Sequence, residues 1–264
     1  RTPVKLKPFS SPTIDGPRIE IIDLSAVQIL GRAQLAGVHA NHLVIHSSTL
    51  TEGFTIIGCA FDGKVLIKDT LSEGWFRLRE SLVAQAFEVS SSEFNTLDFE
   101  RSSLGGQVLL QDFAAETIYF DDSDFGSATI VGKSSRFKTV YPRRSVFRDI
   151  FYMGSAEGHS IVAEQEIAAK KLLLNETKLS GDLRVKNSEF QGSAHLHNIR
   201  VTGYTNFEGC LFFSGCQFES TRFANDASFT GAAFWGQVSF DHSRFDAEAY
   251  FHEVPFRPKP DDEP

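Results

Sequence analysis

Several groups of residues in this chain have the types and spacing to do chemistry. His195 and His197 flank Leu196, so on a strand both imidazoles leave the same face and form half of a metal site. An offset of 22 residues sets Gln217 and Glu219 beside them as further ligands, although surface histidines without a metal are the plainer account. His39, His42 and His46 cluster at no metal-ligand spacing. Asp121, Asp122 and Asp124 form an acidic run that could supply an acid and a base for cleaving a glycosidic bond. Lys133, Arg136, Lys138, Arg143, Arg144 and Arg148 place six positive charges and no acid between residues 133 and 148. The whole chain carries −8, so the remainder holds −14, and the basic run is the candidate partner-binding contact, for phosphate or an acidic partner. No glycine-rich phosphate loop, nucleophile elbow or cofactor motif occurs, and neither a catalytic residue nor a cofactor is expected.

The elements that would position these groups follow from a repeat. Phe207, Phe212, Phe218, Phe223, Phe229, Phe234, Phe240, Phe245 and Phe251 are separated alternately by five and six residues, a spacing no helix produces. Two residues before each from Phe212 onward stands a mostly small residue, among them Cys210, Cys216, Thr221, Ala227 and Ala232. Such pairs share one face of a short strand. Carried backwards in steps of ten or eleven, the register picks out Leu196, Val185, Leu174, Ala163, Tyr152, Tyr141, Val131, Phe120, Leu110 and Phe99, and continues to Leu24. That is the mark of a solenoid.

Two eleven-residue units make one coil of about 22 residues with four short sides, and roughly ten coils form a rod on the order of 50 Å long. Phe207, Phe229 and Phe251 then stack in one buried ladder, and Phe212, Phe234 and Phe256 in another. A flattened, two-sided coil of eleven residues has too little interior for 25 phenylalanines. Gly181, Gly192, Gly203 and Gly236 follow inward residues by two and are expected at corners with positive φ. Of the nine prolines, only Pro142 falls inside the repeat, and residues 133–151 are expected to form a bulged or looped basic coil. Cys59, Cys210 and Cys216 occupy the small inward slot and read as buried free thiols, compatible with a reducing, cytoplasmic compartment.

A small residue two places before Phe or Leu, repeated about every five residues, resembles the pentapeptide-repeat family, most closely over Ala227, Ser228, Phe229, Thr230, Gly231, Ala232, Ala233 and Phe234. The resemblance implies a right-handed, four-sided parallel β-helix. It departs in its five-and-six alternation and in the large residues Leu43, Phe54, Phe76 and Phe87 at the small slot. The expected fold is thus all-β: a right-handed parallel β-helix over residues 21–256, with a Pro-rich linker or cap at 1–20 and an acidic Pro-rich tail at 257–264. Arg1 at the start and the Pro-rich flanks suggest a module cut from a longer protein. No run approaches the ~18 apolar residues of a membrane span.

Units this uniform do not wall a cleft, so the first functional expectation is a non-enzymatic scaffold. It would bind another protein, or self-associate through a coil end, and contact no nucleic acid directly. The family resemblance implies a second reading, an acidic DNA mimic that binds a type II topoisomerase, against which the basic run argues. A carbohydrate-binding or carbohydrate-active β-helix is the third. On the first reading, reversing Arg143 and Arg144 is expected to weaken partner capture and leave the melting temperature nearly unchanged.

Overall fold

Alternate burial along most of the longer strands sends one row of side chains inward and the next into solvent, and the computed structural model winds the strands into a parallel β-solenoid of about ten coils. It describes residues 17–132, 134–164 and 167–257. In one coil, Ala60–Phe61 lies on side 1 and Val65–Lys68 on side 2, while Leu71–Arg79 turns a corner to supply sides 3 and 4. Leu82–Val83 then returns to side 1, directly over Ala60 and Phe61. All pairings are parallel, with offsets of 21 or 22 residues, as from Val65 to Phe87 and from Phe87 to Val108. The coil therefore has four sides.

Each side contributes a ladder to one continuous core. Phe207, Phe229 and Phe251 stack at centroid distances of 5.6 and 4.9 Å, and Phe212, Phe234 and Phe256 at 4.9 and 5.6 Å. Their last rungs are not buried, since Phe251 is 39% and Phe256 60% exposed on the terminal coil. Cys59, Cys210 and Cys216 are free and fully buried.

Two expectations are corrected. Tyr141 and Tyr152 point outward; Val140 and Met153 fill the core beside Pro142 and Phe151. Val131 steps by 22 to Met153, and choosing the nearer tyrosines set the register one residue early, which exchanges the two faces of a strand. Gly181, Gly192 and Gly203 do not have positive φ, although Gly236 does, at 107°. Crowding selects glycine at these corners: a Cβ on Gly203 would come within 2.5 Å of the Gly181 backbone.

Positive φ belongs instead to the corners after sides 2 and 4, where mostly ordinary residues adopt it, among them Ser47, Asp69, Ser91 and Asp112 after side 2 and Glu80, Arg101, Asp122 and Arg144 after side 4. Such a conformation is unfavourable for Arg or Glu alone. It is held by bonds to the next coil, such as Arg101 N–H to the Asp121 carbonyl at 3.0 Å and Asp122 N–H to the Arg143 carbonyl at 3.0 Å. Residues 134–151 are bulged and not looped: Arg136–Tyr141 and Val146–Gly154 are paired strands, with a bulge between Phe147 and Ile150.

Just inside the corner after side 4 runs a ladder of small polar residues. The N–H groups of Cys59, Ser81, Ser102 and Ser123 donate to the hydroxyls of Ser81, Ser102, Ser123 and Ser145 respectively, at 3.1 to 3.4 Å. Ser102 in turn donates to the Leu78 carbonyl at 3.0 Å. Ser102→Ala strands the Ser81 N–H in a dry interior, an expected loss of about 1–3 kcal/mol, read as a lowered denaturation midpoint at constant slope. An unchanged midpoint would mean that water reaches the corner.

Candidate interaction surface

Because Phe76 and Leu78 face inward on side 4, Trp75, Arg77 and Arg79 must face out, and the same alternation exposes Tyr119, Tyr141, Arg184 and Tyr250 farther along. Trp75 lies flat over Gly53, where an added Cβ would come within 2.5 Å of its ring, and donates from Nε1 to Thr55 Oγ1 at 3.1 Å. The Arg32 and Arg77 guanidinium carbons sit 5.1 and 6.0 Å from the ring centroid. In the next coil Arg77 Nε donates to Asp98 at 2.6 Å. Asp98 is buried, and desolvation pushes its carboxyl above the usual range against the opposing pull of Arg77.

Beyond Asp98, Tyr119 and Tyr141 stack at 5.1 Å with their planes 11° apart. Arg143 covers both rings, at 5.5 and 5.1 Å, while Nε donates to Asp121 at 3.0 Å. Arg184 is held between Glu164 at 3.1 Å and Asp182 at 2.7 Å. Along the edge of this side, Asp121, Arg143, Glu164, Lys186 and Glu208 succeed one another coil by coil, so the sign changes at each step.

The basic run is not gathered into one patch. A single coil spans the whole perimeter, so Arg136 and Lys138 lie exposed on side 3, Arg143 on side 4, Arg144 on the following corner and Arg148 on the corner past side 1; Lys133 lies outside the described residues. Most are paired with the preceding coil: Arg144 with Asp122 at 2.6 Å, Arg148 Nε with Asp124 at 2.7 Å and Lys138 with Glu116 at 3.6 Å. The acidic run and the basic run are two halves of one set of stacked ion pairs. Asp121, Asp122 and Asp124 are therefore engaged as acceptors, and the Arg144 guanidinium holds the Asp122 carboxyl below its ordinary value.

His197 Nδ1 lies 3.6 Å from Glu219, but among the described residues no group of three or more His, Cys, Asp or Glu is placed to hold a metal. Burial pushes the Cys210 thiol up to about 12 and raises Cys216 well above its ordinary value, so neither is a ready nucleophile. No helix among the described residues is long and apolar enough to cross a membrane. Sequence reasoning missed the aromatic side, whose signal was a Tyr or Trp one place before an inward residue, as in Trp75 before Phe76 and Tyr119 before Phe120.

No curated protein and no solved structure matches the chain. Residues 213–255 match the family model described as pentapeptide repeats (9 copies). These coils continue the earlier ones through unbroken pairing, Glu189 to Leu211 and Leu211 to Ala233. The chain is thus a parallel β-solenoid whose residues 213–255 carry the sequence pattern of pentapeptide repeats.

Proposed function

We propose that this rod is a non-enzymatic interaction module whose side 4 recognises another protein. The observation that supports it is the concentration of Trp75, Tyr119, Tyr141, Tyr204 and Tyr250 on the outside of one side, together with Arg32, Arg77, Arg143 and Arg184. Trp, Tyr and Arg dominate the energetics of protein interfaces because they bury large rigid surfaces and still satisfy a polar tip. Here Trp75 is already positioned by Thr55 and Gly53, and the pair Tyr119 and Tyr141 by Arg143, so these rings have little side-chain freedom left to lose on binding. An imitation of DNA needs an uninterrupted line of negative charge, and from Asp121 to Glu208 the edge of side 4 changes sign from coil to coil. Glycan cleavage needs a carboxylate free to move a proton, and the three aspartates that suggested it are each tied to an arginine.

The reading is tested by photocrosslinking in cells that make the protein. A photoreactive phenylalanine replaces Tyr141 on side 4 or, as a control, Tyr152 on side 2. One discrete adduct is expected from position 141 and none from 152. No adduct at 141, or the same adducts at both, would remove side 4 as the recognition surface.

A further inference from the structure

Side 3 carries its charge in two blocks. Its outward positions are the corner residue and two alternate strand positions, so three consecutive coils present Asp69, Leu71 and Glu73, then Ser91, Glu93 and Asn95, then Asp112, Ala114 and Glu116. That block is acidic and contains no cation. The following coils present Arg136, Lys138, Lys178, Arg200, Arg222 and Arg244, interrupted by Glu157, Glu176 and Asp246. In this block Lys178, Arg200, Arg222 and Arg244 are direct neighbours in register. Like charges so placed stand about 4.8 Å apart along the stack and repel.

Pairing within the chain relieves only part of this. Lys178 meets Glu157 at 3.0 Å and Arg222 meets Asp246 at 2.6 Å. Among the described residues Arg136 and Arg200 have no ion pair, and neither do Glu73 and Glu93. The side is also hollow: a groove of about 530 Å³ lies over the acidic block, lined by Asp69, Glu93 and Asp112 with Arg136, and one of about 580 Å³ over the basic block, lined by Lys178, Arg200 and Arg222 with Glu157 and Glu176.

We infer that side 3 is a self-complementary face on which a second copy of this chain docks with its rod antiparallel. A two-fold axis lying in the contact plane, across the rods and midway between the coils of Arg136 and Glu157, sets Arg136 opposite Glu157 and Glu93 opposite Arg200 of the second copy. Each contact occurs twice. The charges left over in one rod are those the other supplies. A polymer of one sign laid along the groove would be repelled by half of it, whereas a partner acidic at one end and basic at the other with the same spacing is this chain turned round. A face roughly 40 Å by 10 Å is at the low end for a protein interface, so the dimer is weak, reversible and sensitive to salt.

The test is sedimentation of the intact protein from micromolar to near-millimolar concentration in low and high salt. A monomer–dimer equilibrium is expected in low salt, moving to monomer as salt is added. Glu93→Arg and Arg200→Glu alone should each weaken the dimer at least about tenfold, and together restore it to within about threefold, with unchanged melting temperatures because both positions are exposed and outside the chain's own ion pairs. A strict monomer in low salt, or a dimer indifferent to salt and to both reversals, overturns the inference. In the second case loss of that dimer in Phe256→Glu would place self-association at the C-terminal coil end.

Discussion

Phe229→Asp is expected to unfold the C-terminal coils or to lower stability by about 5 kcal/mol or more, since it removes a core aromatic and buries a carboxylate without a partner. Phe229 is fully buried, stacked between Phe207 and Phe251 and met edge-on by Phe218 and Phe240. A carboxylate there touches only rings. Phe256→Asp is the internal control, because its ring covers Phe234 yet is 60% exposed, and a loss of no more than about 1 kcal/mol is expected. Thermal melts followed by circular dichroism separate the two. Equal losses would mean that the aromatic ladder contributes alike at its middle and its open end, which burial does not allow.

The second large effect concerns the ion pairs around the basic coil. Arg143→Glu with Arg144→Glu sets carboxylates against Asp121 and Asp122, and the Asp121 side chain is only 13% exposed. A loss of about 2–4 kcal/mol is expected, most of it from the half-buried Arg143 pair and little from the exposed Arg144 pair. This replaces the sequence expectation that the double reversal leaves the melting temperature unchanged. Adding Asp121→Arg and Asp122→Arg should recover most of the loss, and failure of that rescue would show that the tyrosine contacts of Arg143 matter more than its charge. The sign of the pH dependence follows from Asp122, whose carboxyl lies below its ordinary value through its hydrogen bond to Arg144. Its contribution is present above the unfolded value of about 3.9 and is lost as pH falls through the lower folded one.

What could be read in advance was whatever repeats within one chain segment. The alternation of five and six residues fixes four sides and inward phenylalanines, because both follow from local spacing. What joins one coil to the next could not be read, because Asp121 and Arg143 look like members of separate charge runs until the coil is known to close after 22 residues. Tyr141 and Tyr152 misled for a related reason: an aromatic residue beside Pro142 or Met153 is the more obvious core candidate, and only pairing with Tyr119 and Ile130 settles the direction. The corners were sought at glycines, yet Glu80, Arg101 and Arg144 adopt positive φ under the pull of the neighbouring coil, and nothing in their own chemistry announces it.

Coils of nearly identical shape pose a sorting problem, since backbone and core alone would let any coil stack on almost any other. The row of Asp121, Arg143, Glu164, Lys186 and Glu208 acts as an address for the five layers it crosses. If a growing stack skipped one of these coils, Asp121 would meet Glu164, Arg143 would meet Lys186, and Glu164 would meet Glu208, so an error within this stretch sets like against like. Excising one whole coil would preserve the outline of the rod and still scramble this order. The sign pattern thus gives a repetitive chain a way to tell its own layers apart while it folds.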